Sequence, residues 1–184
     1  PKEYLDHLDE LPLAANIAPF LRHSMLRIEV MGLQDSISRQ PTAAELQRMV
    51  GILEEAMGDG YLGMSTDGLP LHFLANAPNT DKRIPTQYAT YKEYKLLTDV
   101  LRRRDRVWQM TPATDNSGLT ARLFMLSSGR IHGKPLKITA LAAIALMMAW
   151  LRRATFTIFA VYRLFLGGFL LTVAYGLSLI HISE

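Results

Sequence analysis

A long polar loop follows a short apolar strand within residues 61–85, and it carries the side chains best suited to chemistry. Ser65 and Asp67 stand where the strand ends, and His72 follows in the loop. An imidazole near a carboxylate has the composition of a general base and its partner. Such a long loop is uncommon in a compact domain unless it binds a ligand or is disordered, so we expect a binding function. The alternative is local: Asp67 before Gly68 is typical of a turn, and His72 between apolar residues is typical of packing beneath the loop.

Three more polar side chains lie in two other segments of the chain. Arg27 can hold a substrate carboxylate through two parallel hydrogen bonds, or it can form an exposed structural ion pair. His23 can contact a substrate, or it can anchor a turn by bonding to the backbone. Gln109 carries an amide that can hydrogen-bond a substrate. The candidate substrate-binding residues are His23, Arg27, Ser65, Asp67, His72 and Gln109, and no catalytic residue is assigned.

Hydrophobic periodicity predicts alternating helices and strands that must position these side chains. The clearest helix is 42–57, where Thr42 and Glu45 form a capping box and an apolar stripe begins at Leu46. Further helices are expected at residues 4–11, 90–104 and 119–126. Strands are expected at residues 13–20, 61–65, 107–110 and 134–142, and a strand or an extended arm is expected at 25–31.

Alternation of helix and strand is typical of an α/β fold with a parallel sheet and outer helices. Parallel sheets of this kind hold their sites at the carboxyl ends of the strands. We therefore expect the functional edges to be residues 16–27, 65–76 and 109–116, all of which are polar.

Composition excludes several classes of protein. Of the 184 residues, 49% are hydrophobic and 20% are charged, which is typical of a globular domain and not of a disordered chain. Residues 1–137 hold 17 basic and 16 acidic groups, and this balance argues against a nucleic-acid partner. The chain has no cysteine, which removes disulfides and thiolate metal sites and is consistent with a cytoplasmic location.

The two ends of the sequence indicate an internal fragment. The chain opens with the acidic, amphipathic PKEYLDHLDELP, without an initiating Met or a signal peptide. Residues 177–184, LSLIHISE, resemble the one-frame translation of a transposase adapter used for sequencing libraries. We interpret these residues as an artefact of the read, the alternative being a natural apolar tail.

Three motifs then occur in a characteristic order. They resemble the D-aminoacylase and N-acyl-D-amino-acid deacylase branch of the amidohydrolase superfamily. In that branch a strand with Asn leads to a Gly-His-Ser or Gly-His-Thr element ending Leu-Arg, then to Glu-Ala-Met on a helix, then to Gly-x-Leu-Gly-x-Ser. The matching residues here are Asn16, His23, Ser24, Leu26 and Arg27, then Glu55, Ala56 and Met57, then Gly60, Leu62, Gly63 and Ser65.

The resemblance implies that residues 1–142 are part of a (β/α)8 TIM barrel of the metal-dependent hydrolase type. The implied reaction is hydrolysis of the C–N amide bond of a small molecule, an N-acyl-D-amino acid or a related amide. Zinc or another divalent metal is the implied cofactor of the full-length parent, where it would polarise the carbonyl and activate water. The family's His-x-His motif would precede Pro1, and its late catalytic Asp would follow the end of this chain.

The sequence departs from the family pattern at two places. Arg22 stands where the family usually has Gly before the His. Residues 107–112, VWQMTP, stand where many members have Thr-His-x-Arg, whose His is a metal ligand. Gln109 and Thr111 are poor zinc ligands, so no metal ligand is assigned. By the resemblance, His23 is also a candidate for the second shell of a metal in the parent.

Two alternatives to a hydrolase segment remain open from the sequence. Residues 138–150 and 155–180 are apolar, and the second stretch is long enough to cross a bilayer, which is typical of a membrane-anchored protein. Arg163 inside that stretch argues against it, at a cost of roughly 2.5 to 3.5 kcal/mol. We interpret 143–176 as an apolar helical segment, either diverged barrel helix or frame-damaged sequence. The other alternative is a non-catalytic remnant, and we expect the isolated chain to be inactive because it lacks the remaining barrel strands.

Overall fold

The computed structural model describes residues 1–140, in which helices and strands alternate. The apolar segment 143–176 and the tail 177–184 therefore lie outside the described residues. The helices are α1 (Lys2–Glu10), α2 (His23–Met31), α3 (Leu33–Ser36), α4 (Ala43–Asp59), α5 (Tyr91–Arg103), α6 (Ser117–Met125) and α7 (Gly129–His132), with a 3-10 turn at Pro85–Tyr88. The strands are β1 (Phe20–Arg22), β2 (Gly63–Asp67), β3 (Val107–Thr111) and β4 (Lys137–Ala140).

The four strands form one parallel sheet in the order β1-β2-β3-β4, so the fold is mixed α/β. Crossovers between parallel strands are right-handed, and a sheet built in sequence order therefore carries its helices on one face. Burial agrees with this rule, because Met64, Trp108 and Met110 are buried in one core with residues of α2, α4, α5 and α6. Ser65 and Gln109, which point to the opposite face, are only half-buried.

Helix α4 confirms the prediction for residues 42–57. Thr42 Oγ1 accepts a hydrogen bond from the Glu45 amide at 3.2 Å, and a Glu45 carboxylate oxygen accepts one from the Thr42 amide at 2.7 Å. This capping box satisfies two backbone donors at the start of the helix. Gly60, with φ of 122°, lies at the carboxyl-terminal cap, in a backbone conformation that favours glycine.

The predicted strand at residues 25–31 is wrong, because these residues belong to helix α2. Leu26, Ile28 and Val30 alternate in the sequence, but the buried side chains of the helix are His23, Leu26, Arg27 and Met31. Their spacing is helical, and two of the four positions hold polar residues. Hydrophobic periodicity was therefore misleading, since it cannot count a buried histidine or arginine.

The predicted strand at residues 13–20 is also largely wrong. Residues 11–19 form no helix or strand, and β1 begins only at Phe20, directly after Pro19. Proline has no amide hydrogen to give to a strand ladder. The Pro19 carbonyl still accepts a hydrogen bond from the Leu62 amide at 2.9 Å, so it marks the start of the β1–β2 pairing.

The other expected elements are present with shifted bounds. The helices expected at 4–11, 90–104 and 119–126 correspond to α1, α5 and α6, and the strands expected at 61–65, 107–110 and 134–142 correspond to β2, β3 and β4. Within residues 1–140, no helix combines the length and apolar character needed to cross a membrane.

Candidate functional site

A cleft of about 800 Å³ lies at the carboxyl ends of the first three strands. The last residues of β1, β2 and β3, which are Arg22, Asp67 and Thr111, all line it. Parallel strands bring their carboxyl ends to one edge, so this arrangement follows from the topology. Four of the predicted site residues share this cleft: Ser65, Asp67, His72 and Gln109.

Asp67 and His72 are in direct contact within the cleft. Asp67 Oδ2 is hydrogen-bonded to Nδ1 of His72, and Asp67 Oδ1 accepts a hydrogen bond from the Leu69 amide at 2.9 Å. In the neutral imidazole, a carboxylate that accepts from Nδ1–H leaves Nε2 as the acceptor nitrogen. Among residues 1–140, no side chain or backbone group hydrogen-bonds His72 Nε2, and the ring is half-exposed. The pair therefore presents a nitrogen base to the cleft, while the turn role expected for Asp67 is also fulfilled.

The loop that carries His72 is fixed by backbone contacts and not only by its own turns. The Gly68 amide donates to the Thr111 carbonyl at 2.8 Å, which places the start of the loop on the end of β3. A Cβ atom at Gly68 would lie 2.9 Å from that same carbonyl oxygen, so the close approach requires glycine. Gln87 Nε2 donates to the carbonyls of Leu69 and His72, at 2.7 and 3.1 Å. These bonds hold the imidazole at the cleft.

The floor of the cleft is polar because of strand register. Arg22 pairs with Ser65, and Ser65 pairs with Gln109, so the three residues form a row across neighbouring strands. Asp67 and Thr111 form the next row on the same face. Side chains on one face repeat every second residue, which explains why all five point the same way.

One wall of the cleft is apolar. Met25, Leu71 and Phe73 all line it, and each side chain is about half exposed. Exposed large apolar residues gathered around polar groups are typical of ligand-binding clefts. The cleft thus combines an apolar wall with a hydrogen-bonding floor.

The structure places His23 and Arg27 outside this cleft, in the core beneath it. Both side chains are fully buried, and both contact Glu93 of α5. His23 Nε2 lies 2.7 Å from Glu93 Oε1, and Arg27 Nη1 donates to Glu93 Oε2. Arg27 Nη2 donates to the Ser36 carbonyl at 3.0 Å. These residues join α2 to α5, and they do not contact the same space as His72.

Burial and charge act in opposite directions on Glu93. Burial alone would raise the pKa of this carboxyl, but the hydrogen bond and charge of His23, followed by those of Arg27, outweigh it and hold the pKa below its ordinary value. The neighbouring Tyr94 hydroxyl donates to the Thr86 carbonyl at 3.0 Å, and burial raises its pKa. Glu93 was not expected from sequence, because a glutamate in a helix rich in charged residues resembles part of a solvent-facing surface.

The cluster around Glu93 also supports the cleft indirectly. Ser24, next to His23, is hydrogen-bonded to Thr86, and its Oγ accepts a hydrogen bond from the Thr86 amide at 3.2 Å. Ser24 and Thr86 both line the cleft. The buried contacts of His23 and Arg27 therefore fix the start of α2, where Ser24 lies close to Arg22, the last residue of β1.

The residues described here do not fit a zinc site. Within residues 1–140, no group of three His, Cys, Asp or Glu side chains lies close enough to hold a metal ion. Gln109 and Thr111 occupy the carboxyl end of β3, and their neutral oxygens are poor ligands for zinc.

Comparison with known proteins gives partial relationships. Residues of this chain are 38% identical over 136 positions to uncharacterized proteins of Mycobacterium tuberculosis and Mycobacterium bovis, covering 73% of this chain and 22% of each relative. An N-acyl-D-aspartate deacylase of Alcaligenes xylosoxydans xylosoxydans is 38% identical over 65 residues, covering 35% of this chain and 12% of that enzyme. A D-aminoacylase from the same organism is 41% identical over 64 residues, covering 35% and 13%. About a third of the chain is therefore similar to enzymes named N-acyl-D-aspartate deacylase and D-aminoacylase.

The coverage limits what these relationships establish. The chain spans about a fifth of the length of the mycobacterial relatives that it matches. No family model matches the sequence, and no solved structure matches it.

Proposed function

We propose that this chain is a segment of a longer amidohydrolase that cleaves the C–N bond of an N-acyl amino acid, with N-acyl-D-amino acids as the substrate class. The observation that carries the proposal is the Asp67–His72 pair at the carboxyl edge of a parallel sheet, in a cleft with Ser65 and Gln109. The partial similarity to enzymes named D-aminoacylase and N-acyl-D-aspartate deacylase supports the same chemistry.

The proposed architecture is part of a (β/α)8 barrel. Four parallel strands in sequence order bury one face beneath helices and leave the other face polar. In a barrel that second face turns inward, and the site lies at the carboxyl ends of its strands. The position of the cleft at those ends supports this architecture.

The cleft residues supply the elementary steps of amide hydrolysis. His72 Nε2 accepts a proton from water as the water oxygen bonds to the carbonyl carbon, and Asp67 stabilises the imidazolium that forms. The side-chain N–H of Gln109 and the hydroxyl of Ser65 donate to the carbonyl oxygen as charge develops on it. The C–N bond then breaks, and the amine leaves with the proton that His72 returns. The apolar wall of Met25, Leu71 and Phe73 suits the acyl group.

A divalent metal in the longer protein is a separate part of the proposal. Because residues 1–140 hold no group of three fitting ligands, residues beyond them would have to complete the site of any such ion. The ion would help to polarise the scissile carbonyl, so its removal is expected to stop turnover, while the steps assigned above to His72, Gln109 and Ser65 belong to this chain.

The test uses the longer protein that contains this segment. Release of free amine from N-acetyl-D-amino acids is measured beside the L enantiomers, before and after exhaustive chelation, with the 184-residue chain alone as a further sample. We expect turnover of the D substrates by the longer protein, loss of turnover on chelation, and no turnover by the isolated chain. Absence of amide hydrolysis in the metal-loaded longer protein would contradict the proposed activity, and activity that survives chelation would contradict the metal requirement alone.

A further inference from the structure

We propose that Arg22 binds a carboxylate of the substrate in the cleft, and so makes this site selective for anionic amides. The inference rests on the proposed function and deepens it, because it assigns the substrate-binding cation to Arg22 and not to Arg27. Arg22 is the last residue of β1 and is exposed at the cleft.

Strand register aligns Arg22 with the groups that would face the scissile amide. Arg22 pairs with Ser65 and Ser65 with Gln109, and all three line the cleft. Adjacent strands lie about 4.8 Å apart, and paired residues point to the same face. In an N-acyl amino acid only the amide nitrogen and the α-carbon separate the carboxylate from the scissile carbonyl. A substrate whose carbonyl faces Ser65 and Gln109 therefore brings its carboxylate within reach of the neighbouring strand, where Arg22 lies.

Arg22 is the permanently charged cation among the residues that line the cleft. The Asp67 carboxylate, which also lines it, is engaged by His72 and by the Leu69 amide. Within residues 1–140, the side chain of Arg22 makes no ion pair and no hydrogen bond, and only its backbone is engaged, in the β1–β2 pairing. A guanidinium presents a planar fork of donors that matches a carboxylate through two parallel bonds.

Neighbouring arginines are already engaged. Arg27 is fully buried and donates to Glu93 and to the Ser36 carbonyl. Arg83 pairs with Asp115 at 2.9 Å and lines a smaller adjacent cavity of about 230 Å³. Neither can reach a carboxylate in the main cleft without losing these partners. Arg22 is the arginine that the described geometry leaves for this role.

The carboxylate has two chemical sources, and the experiment separates them. It belongs either to the α-carbon of the amino acid or to the side chain of an acidic amino acid. N-acetyl-D-alanine is compared with its primary amide for the first source, and N-acetyl-D-aspartate with N-acetyl-D-asparagine for the second. Binding is measured by titration calorimetry on the longer protein after chelation, when turnover is expected to be lost. KM and kcat are measured on the same protein before chelation.

The variants are Arg22→Gln and Arg22→Lys, with Arg48→Gln as a matched control. Arg48 is an exposed arginine on α4, away from the cleft lining. We expect Arg22→Gln to weaken binding of the acid in at least one pair, and to raise its KM, by about tenfold to a hundredfold. In Arg22→Gln, kcat and the binding of the neutral partner should change by less than about twofold. Acid binding and KM in the Arg48→Gln control should also change by less than about twofold. Arg22→Lys should recover part of the affinity, because it keeps the charge but loses the fork.

The outcomes test the assignment of Arg22 and the proposed function separately. Equal binding of acid and amide by the wild-type longer protein, or unchanged acid binding in Arg22→Gln, would overturn the assignment of Arg22. If acid binding depends on Arg22 but the longer protein cleaves no amide, the inference stands and the proposed function falls. If amides are cleaved but KM is unchanged in Arg22→Gln, the proposed function stands and the inference falls.

Discussion

Glu93 is hydrogen-bonded to His23 across 70 positions of the chain, in a part of the core where neither side chain reaches solvent. The second oxygen of the same carboxylate accepts from Arg27, which is equally buried. One side chain of α5 therefore anchors the two buried polar residues of α2. The burial of these two side chains holds α2 in place beneath the cleft. The amino-terminal residues of α2 nevertheless point into the cleft.

Replacing Glu93 tests the structural weight of this contact. Glu93→Gln keeps the shape but removes the charge, leaving Arg27 buried without its anion. We expect the free energy of unfolding, measured by urea denaturation, to fall by about 3 to 5 kcal/mol. Glu55→Gln, an exposed glutamate on α4, should change it by less than about 0.5 kcal/mol. Similar values for the two variants would mean that the buried cluster is not structural.

The same carboxylate predicts a pH dependence. The folded-state pKa of Glu93 lies below its ordinary value of 4.5, so the ionised form contributes stability above pH 4.5. That contribution is lost as the pH falls through the lowered pKa. The stability difference between wild type and Glu93→Gln should shrink as the pH falls below 4.5. Urea denaturation of both proteins at a series of pH values measures it, and a difference that grows on acidification would contradict the prediction.

Local sequence signals predicted some elements well, but they do not identify contacts with distant segments. Two glutamates show this difference. Glu45 and Glu93 both follow a threonine by three positions at the start of a helix. Glu45 returns to the Thr42 amide, as a capping box requires, and α4 was predicted from it. Glu93 instead turns to His23 and Arg27. Nothing within a few residues of Glu93 encodes that choice, because its partners come from a distant segment.

Two glycines allow a matched test of the sheet. A Cβ atom at Gly63 in β2 would lie 1.7 Å from the Val107 carbonyl oxygen of β3, whereas one at exposed Gly51 in α4 would meet nothing within 4 Å. We expect Gly63→Ala to lower the free energy of unfolding by at least about 2 kcal/mol through separation of the two strands. Gly51→Ala should raise it by about 0.5 to 1 kcal/mol, because alanine favours a helix. Thermal unfolding followed by circular dichroism reads both, and a tolerated Gly63→Ala would contradict the β2–β3 register.

The sequence predicted the candidate-site residues that are placed by the ends of parallel strands. It did not predict which arginine would be buried and which would face the cleft. Ser65, Asp67, His72 and Gln109 lie together because parallel strands end at one edge, a rule that the alternating pattern was enough to apply. The sequence did not show that Arg27 is buried and that Arg22 faces the cleft. That distinction depends on α2 being a helix, and its helical period was hidden by His23 and Arg27 themselves.

In our proposal, the cleft at the carboxyl ends of the strands hydrolyses amides through the Asp67–His72 pair. The most direct measurement is kcat for an N-acetyl-D-amino acid in the longer protein carrying His72→Gln, beside His7→Gln, an exposed histidine on α1. We predict that kcat falls by about a hundredfold to ten-thousandfold in His72→Gln, as for loss of a general base, and is unchanged in His7→Gln. A wild-type kcat in His72→Gln would contradict the account.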